Sequence, residues 1–121
     1  MTSTIFFLLC SHWVADFVMQ TDEEATHKSK SIEWLTLHAI KYTLYITALM
    51  AIFISFKHGS GVLLPYFIII NGLSHWSIDY FTSRVNSHFW TIDNRHWFFT
   101  GIGFDQFLHT VILLSTVKFL V

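Results

Sequence analysis

Residues 73–81, LSHWSIDYF, decide how this chain folds. His75 and Asp79 stand four apart, so on a helix they share one face, one turn above the other. Their neighbours are largely apolar. The same spacing recurs in SHWVADF at 11–17, with His12 and Asp16, and in reverse in DQFLH at 105–109, with Asp105 and His109. His38 stands alone in LTLHAIKY at 35–42. An ionisable side chain inside an apolar segment is costly to bury, which makes it a functional-site hypothesis by default. A lone histidine there reads as a packing residue, and one His/Asp pair can simply fix an imidazole tautomer. Three matched pairs point to a built polar site.

Composition sets the class. Of 121 residues, 53% are apolar, 18% aromatic and only 12% charged, about half the roughly 25% charged share of soluble domains. That balance, with a single proline, predicts an integral membrane protein made of one domain. Net charge is −1 with no basic block, which argues against a nucleic-acid partner. Cys10 is the only cysteine, so an internal disulfide and a multi-cysteine zinc site are both excluded. The N-terminal apolar stretch lacks a basic start and a small-residue cleavage site, and it already contains His12 and Asp16. It is expected to remain as a first span and not to be removed as a signal peptide.

Hydropathy predicts an all-α, four-helix transmembrane bundle, with helices at about 4–20, 32–56, 62–83 and 99–121. A polar loop at 21–31, the turn KHGSG at 57–61 and a polar and aromatic loop at 84–98 connect them. Pro65 falls in the first turn of the third helix, where proline is tolerated. Lys28, Lys30, Arg84 and Arg95 lie on the long-loop side, against Lys57 and Lys118 opposite. This basic bias places the long loops in the cytoplasm and both termini outside. On these bounds Asp16, Asp79, Asp105 and His38 lie near the loop side, with His12, His75 and His109 deeper. The rise of about 1.5 Å per residue then gives two layers roughly 6 Å apart, one mostly carboxylate and one imidazole. His27, His58, His88 and His96 fall in loops or at boundaries and read as solvated or interfacial.

Imidazole and carboxylate from facing helices are the materials of bundle metal sites. His12, Asp16, His38, His75, Asp79, Asp105 and His109 are too many for one tetrahedral zinc with an open position. They suit two ions about 3.5–4 Å apart, or one ion with a base and supporting groups. A divalent transition metal is therefore the expected cofactor, zinc first, with iron or manganese as alternatives. One spare carboxylate among Asp16, Asp79 and Asp105 would serve as base. Gln20 and Gln106 are candidate supports, Gln106 bonding across helices because it points away from Asp105. Lys28 stands beside the site, and Lys41 either reaches the interface or helps bind an anion. Ser11, Ser74 and Ser77 adjoin the site but fit no nucleophile motif.

The blocks SHWVADFVMQTDEEATHKSKS, LHAIKYTL, LSHWSIDYFTSR and GFDQFLHT resemble a small bacterial and phage membrane-protein family catalogued as a domain of unknown function. Its pattern runs HxxxDFxxQ, a lysine-containing loop, a second-helix histidine, HxxxD and DQxxH. Carried onto this chain, the family positions are His12, Asp16, Gln20, Lys28, His38, His75, Asp79, Asp105, Gln106 and His109. The resemblance implies a bacterial inner membrane as the setting and implies no activity. A looser similarity to small inner-membrane proteins described as metal-dependent hydrolases is an analogy only.

Three function classes follow. The first is a membrane-embedded metal-dependent hydrolase acting on a lipid or lipid phosphate from the cytoplasmic side, with membrane lipids as partners. The second is a proton or divalent-cation carrier or channel, opposed by an outer half that is nearly all Leu, Ile, Phe and Val, with only Thr43, Thr47 and Asn71 as continuation. A homo-oligomer could supply the missing path. The third is a membrane interaction protein with a structural metal.

Overall fold

The computed structural model describes residues 1–57 and 59–120. His58 and Val121, named above in a loop and at a helix end, lie outside them. Every regular element among the described residues is helical: α1 (Thr2–Trp13), α2 (Asp22–His27), α3 (Ile32–Phe56), α4 (Leu64–Thr91) and α5 (Arg95–Thr116). A π-helical stretch, Val14–Val18, continues α1, and a 3-10 turn, Val117–Phe119, continues α5. The four long helices close a ring in which α1 packs on α3, α3 on α4, α4 on α5 and α5 on α1.

Local chemistry explains the boundaries. Thr21 caps α2 through a reciprocal pair with Glu24, its hydroxyl accepting from the Glu24 N–H while the Glu24 carboxylate accepts from the Thr21 N–H. Ser31 caps α3 through the Trp34 N–H, and Asn94 caps α5 through the Trp97 N–H. Pro65 occupies the first turn of α4, where its missing N–H costs nothing. Asp93 turns the chain between α4 and α5 at φ 56°, a left-handed conformation that aspartate tolerates.

Two expectations about the connections need correction. The stretch 84–98 is not a loop: α4 runs on to Thr91 and α5 starts at Arg95. Polar residues such as Arg84, Asn86 and His88 lower the hydropathy there without lowering helix propensity. No glycine or proline interrupts the run before Gly101. Likewise the loop at 21–31 contains the capped helix α2. Asp79 and Asp105 therefore sit well inside their helices and not near the ends.

Among the described residues two helices are long and apolar enough to cross a membrane, Ile32–Phe56 and Arg95–Phe119. The stretch Thr2–Val18 is apolar but shorter. The interior divides into two parts. Leu8, Ile46, Met50, Ile54, Phe67 and Leu113 form an apolar core at the end holding both termini. Asn71 and Thr116 cross-link α4 and α5 there through a 2.8 Å hydrogen bond. Towards α2, the interior is polar.

Candidate metal centre

The polar interior is built from all four long helices. His12 comes from α1, Asp16 from the π-helical stretch, His38 from α3, His75 and Asp79 from α4, and Asp105 and His109 from α5. All are buried except Asp105, which is partly open. The π-helical stretch, closed by a Met19 N–H to Val14 carbonyl bond, widens the last turn and carries Asp16 inward. Such widened turns recur at functional sites.

The side-chain tips meet in one cluster and not in two layers. His38 Nε2 lies 3.1 Å from Asp16 Oδ1 and 3.1 Å from His75 Nε2. His75 Nε2 is 3.4 Å from Asp16 Oδ1, and His109 Nε2 is 3.0 Å from Asp79 Oδ1. Helical side chains lean towards the N-terminus of their own helix. Asp16 and Asp79 thus lean towards the deeper residues and His109, on the antiparallel α5, leans towards them, which closes the gap between those three. His38 and His75 meet across the facing helices α3 and α4.

Two groups of donor atoms result. Asp16, His38, His75 and Asp79 each offer one atom within 4.8 Å of the others, and so do Asp16, Asp105 and His109. Asp16 belongs to both. These groups can hold a metal ion. The donor set fits one chemically: the two facing Nε2 atoms of His38 and His75 have room for only one proton between them, and a cation satisfies both lone pairs. His75 Nδ1, wholly buried, has no hydrogen-bond partner among the described residues.

The surrounding hydrogen bonds fix orientation. Gln106 donates its amide to Asp16 at 3.1 Å and to Asp105 at 2.9 Å. Its carbonyl oxygen therefore accepts from His12 Nε2 at 3.0 Å, leaving His12 Nδ1 to accept from the Tyr42 hydroxyl at 3.0 Å. With both nitrogens engaged, His12 lies outside both donor groups. Gln106 bonds across helices as expected, but it also reaches Asp105. Thr82 donates to the other oxygen of Asp105. The Tyr42 ring stacks on His75 with centroids 3.7 Å apart and seals the cluster from the apolar core.

From the α2 side, Lys28 donates to Asp79 at 2.8 Å. Burial works against its charge, but Asp79 and Asp16 hold its ammonium pKa above the ordinary value. Glu24 is 1% exposed, accepts from Lys41, and lies 3.7 Å from His38 Nδ1. Burial would raise its pKa, yet the Lys41 ammonium and the Thr21 N–H hold it below the usual carboxylate value. Lys41 is thus committed to Glu24. Counting charges, Asp16, Asp79 and Asp105 face one ammonium, while Glu24 and Lys41 balance each other. With neutral imidazoles the cluster carries two uncompensated negative charges, an excess that a buried site does not tolerate without counter-charge.

A cleft of about 500 Å³ opens onto this cluster. Its floor is Asp16, Asp105 and Gln106, one wall is Thr82, Ser83 and Asn86 of α4, and Lys28, Lys30, Trp90 and Phe98 rim it. Gln20 lines it with Oε1 unpartnered among the described residues. His27, His88 and His96 are exposed, away from the cluster, and lie in α2, α4 and α5 and not in loops. Sequence reasoning did not single out Tyr42, Thr82 or Glu24 as site residues. A signal existed for Glu24, the Thr-x-x-Glu capping box at 21–24, and for Tyr42, one turn beyond His38.

Fold and site define an all-helical protein with a buried His/Asp cluster drawn from four helices. The family model described as "Protein of unknown function (DUF3307)" matches residues 4–121, and the chain belongs to that family. No curated protein and no solved structure matches it.

Proposed function

We propose that this protein is a membrane-embedded, metal-dependent hydrolase acting on an anionic lipid ester or lipid phosphate from the cytoplasmic side. The observation that carries the reading is the pair of donor groups sharing Asp16 at the floor of a cleft rimmed by lysines. A carboxylate common to two donor sets is how two-metal hydrolytic sites hold their ions close together. The membrane setting is supported by the exterior. Phe6, Trp13, Ile40, Leu44, Ile69, Leu73, Phe104 and Phe107 are exposed on all four long helices, more large apolar side chains than a water-soluble monomer leaves in water. We read the four helices as a transmembrane bundle, with α2 and the α4–α5 turn on the cytoplasmic side.

A divalent ion held here, zinc by the nitrogen and oxygen donors, would supply a Lewis acid and lower the pKa of a bound water to about 7. The residues of the chain do the rest. Asp105, held by Thr82 and Gln106 and partly open to the cleft, would hold the second ion through one oxygen and meet water entering there with the other, as the base. Lys30, exposed at the rim, attracts the anionic group, while Lys28 stays on Asp79. Glu24 lies 3.7 Å from His38 Nδ1, beyond a direct hydrogen bond, and places negative charge on the outer side of that ring. Tyr42, His12 and Gln106 form a chain that positions Asp16 and Asp105.

Elemental analysis of detergent-purified protein is the test, with Asp79→Ala and Asp105→Ala alongside. One or two transition-metal ions per chain, lowered in both variants, with hydrolysis of phospholipids or isoprenoid phosphates, is the expected result. A second reading has its own support: two protons on His38 and His109 would also neutralise the excess charge. Metal-free protein after supplementation, with proton flux in liposomes, would establish that network instead. Against a conduction path stands the apolar core of Ile46, Met50, Phe67 and Leu113, which closes the interior beyond Tyr42.

A further inference from the structure

The polar cleft has an apolar neighbour. A groove of about 380 Å³ lies between α4 and α5, walled by Phe81, Val85, Phe104 and Leu108. Thr82 and Asn86 line both cavities. At the seam between them Gly101 faces Asn86, and a Cβ on Gly101 would fall 1.9 Å from Asn86 Oδ1. Only glycine lets the Asn86 side chain occupy this boundary. Asn86 Oδ1 and Ser83 Oγ have no hydrogen-bond partner among the described residues. Two buried, unpaired polar atoms therefore lie just beneath the surface where an apolar groove meets the cleft.

We propose that the α4–α5 seam binds a single-chain lipid phosphate. Its phosphate would lie in the cleft against Lys30. A headgroup hydroxyl would meet Ser83 and Asn86 once their oxygens, closed to solvent in this structure, turn towards the cleft, and its alkyl chain would pass over Thr82 into the groove. This rests on reading the cleft as the substrate site, and it names the substrate class and its route, sideways from the bilayer. Charge and continuity carry it. Lys30 at the rim selects an anion, the orphaned oxygens select a hydrogen-bonding headgroup, and Thr82 and Asn86 join the cleft to the groove. A soluble phosphate ester would use the cleft and leave the groove to bulk lipid. A groove of this size on one helix pair accepts part of one chain, in the range of small-molecule sites.

The test is photo-crosslinking of the full chain in maltoside detergent, using lysophosphatidic acid with a diazirine in its alkyl chain, followed by peptide mapping. Adducts are expected on Phe81, Val85, Phe104 or Leu108. Unlabelled lysophosphatidic acid should compete and lysophosphatidylcholine should not. Leu108→Trp, which fills the groove from its lipid side, should lower labelling about tenfold, the equivalent of roughly 1.4 kcal/mol of lost contact. Metal content per chain in that variant should stay unchanged, which reports that the fold persists. Lys30→Gln, which leaves the Lys28–Asp79 pair intact, should abolish the preference over lysophosphatidylcholine. Equal labelling by a diazirine lysophosphatidylcholine, or adducts spread over all helices, would reduce the groove to ordinary lipid contact and overturn the proposal. Competition by glycerol phosphate as strong as by lysophosphatidic acid would overturn it too. Specific labelling without hydrolysis would sink the hydrolase and leave this binding site standing. Hydrolysis of soluble phosphate esters without labelling would do the reverse.

Discussion

The two ends of the bundle solve opposite problems with the same helices. At the end holding both termini, Ile46, Met50, Phe67 and Leu113 fill the interior and need only shape. At the α2 end, Asp16, His38, His75 and Asp79 fill it and need counter-charge, hydrogen bonds and orientation. The apolar end can lose a methyl group and adapt. The polar end holds its groups within about one hydrogen-bond length of each other, and each side chain depends on its neighbours' protonation. Tyr42 marks the border: its ring packs in the apolar core while its hydroxyl reaches His12. Structural specialisation therefore runs along the bundle axis. One end supplies packing so that the other can carry charge.

Substitutions on either side of that border should behave differently. Asp16→Ala removes the carboxylate common to both donor groups, so metal per chain should fall to near zero and hydrolysis with it. Stoichiometric metal in that variant would break the division between the two ends. Leu113→Ala, in the apolar end and 1% exposed, should cost about 2–5 kcal/mol of stability through the cavity it leaves. Thermal unfolding should show the loss, while metal per folded chain stays constant. A fall in metal occupancy would mean the two ends are energetically coupled. Tyr42→Phe keeps the ring and deletes the hydroxyl that fixes His12. Metal affinity or turnover should drop about tenfold, as for other supporting contacts around metal ligands, and unfolding should shift little. His88→Ala, exposed on the far part of α4, should change neither quantity. Any loss of metal there would place the site elsewhere than in this cluster.

Much of the candidate site was legible because helical periodicity is local. Four-residue spacing put His75 with Asp79 and Asp105 with His109 on common faces before any packing was known, and apolar flanks marked all seven residues as buried. Helix ends were less legible. Hydropathy stops at Ser83 because Arg84, Asn86 and His88 are polar, whereas the backbone continues to Thr91 because nothing in that run opposes helix. The π-helical turn at Val14–Val18 left no readable mark, since one extra residue in a turn depends on what that turn packs against. Lys41 shows the same limit: its charge was evident, but its partner Glu24 lies on another helix.

From sequence alone come the helical class, the buried His/Asp pairs, the apolar half without ionisable groups, and the family pattern, because each depends on residues within a turn or two of each other. Only the tertiary structure decided that Asp16 is shared between two donor groups, that His12 is tied to Tyr42 and Gln106, and that Lys28 folds back onto Asp79. Those facts depend on which way antiparallel helices lean their side chains and on how α2 closes over the cluster. Distances of about 3 Å between residues far apart in the chain are set by packing, and no local spacing encodes them.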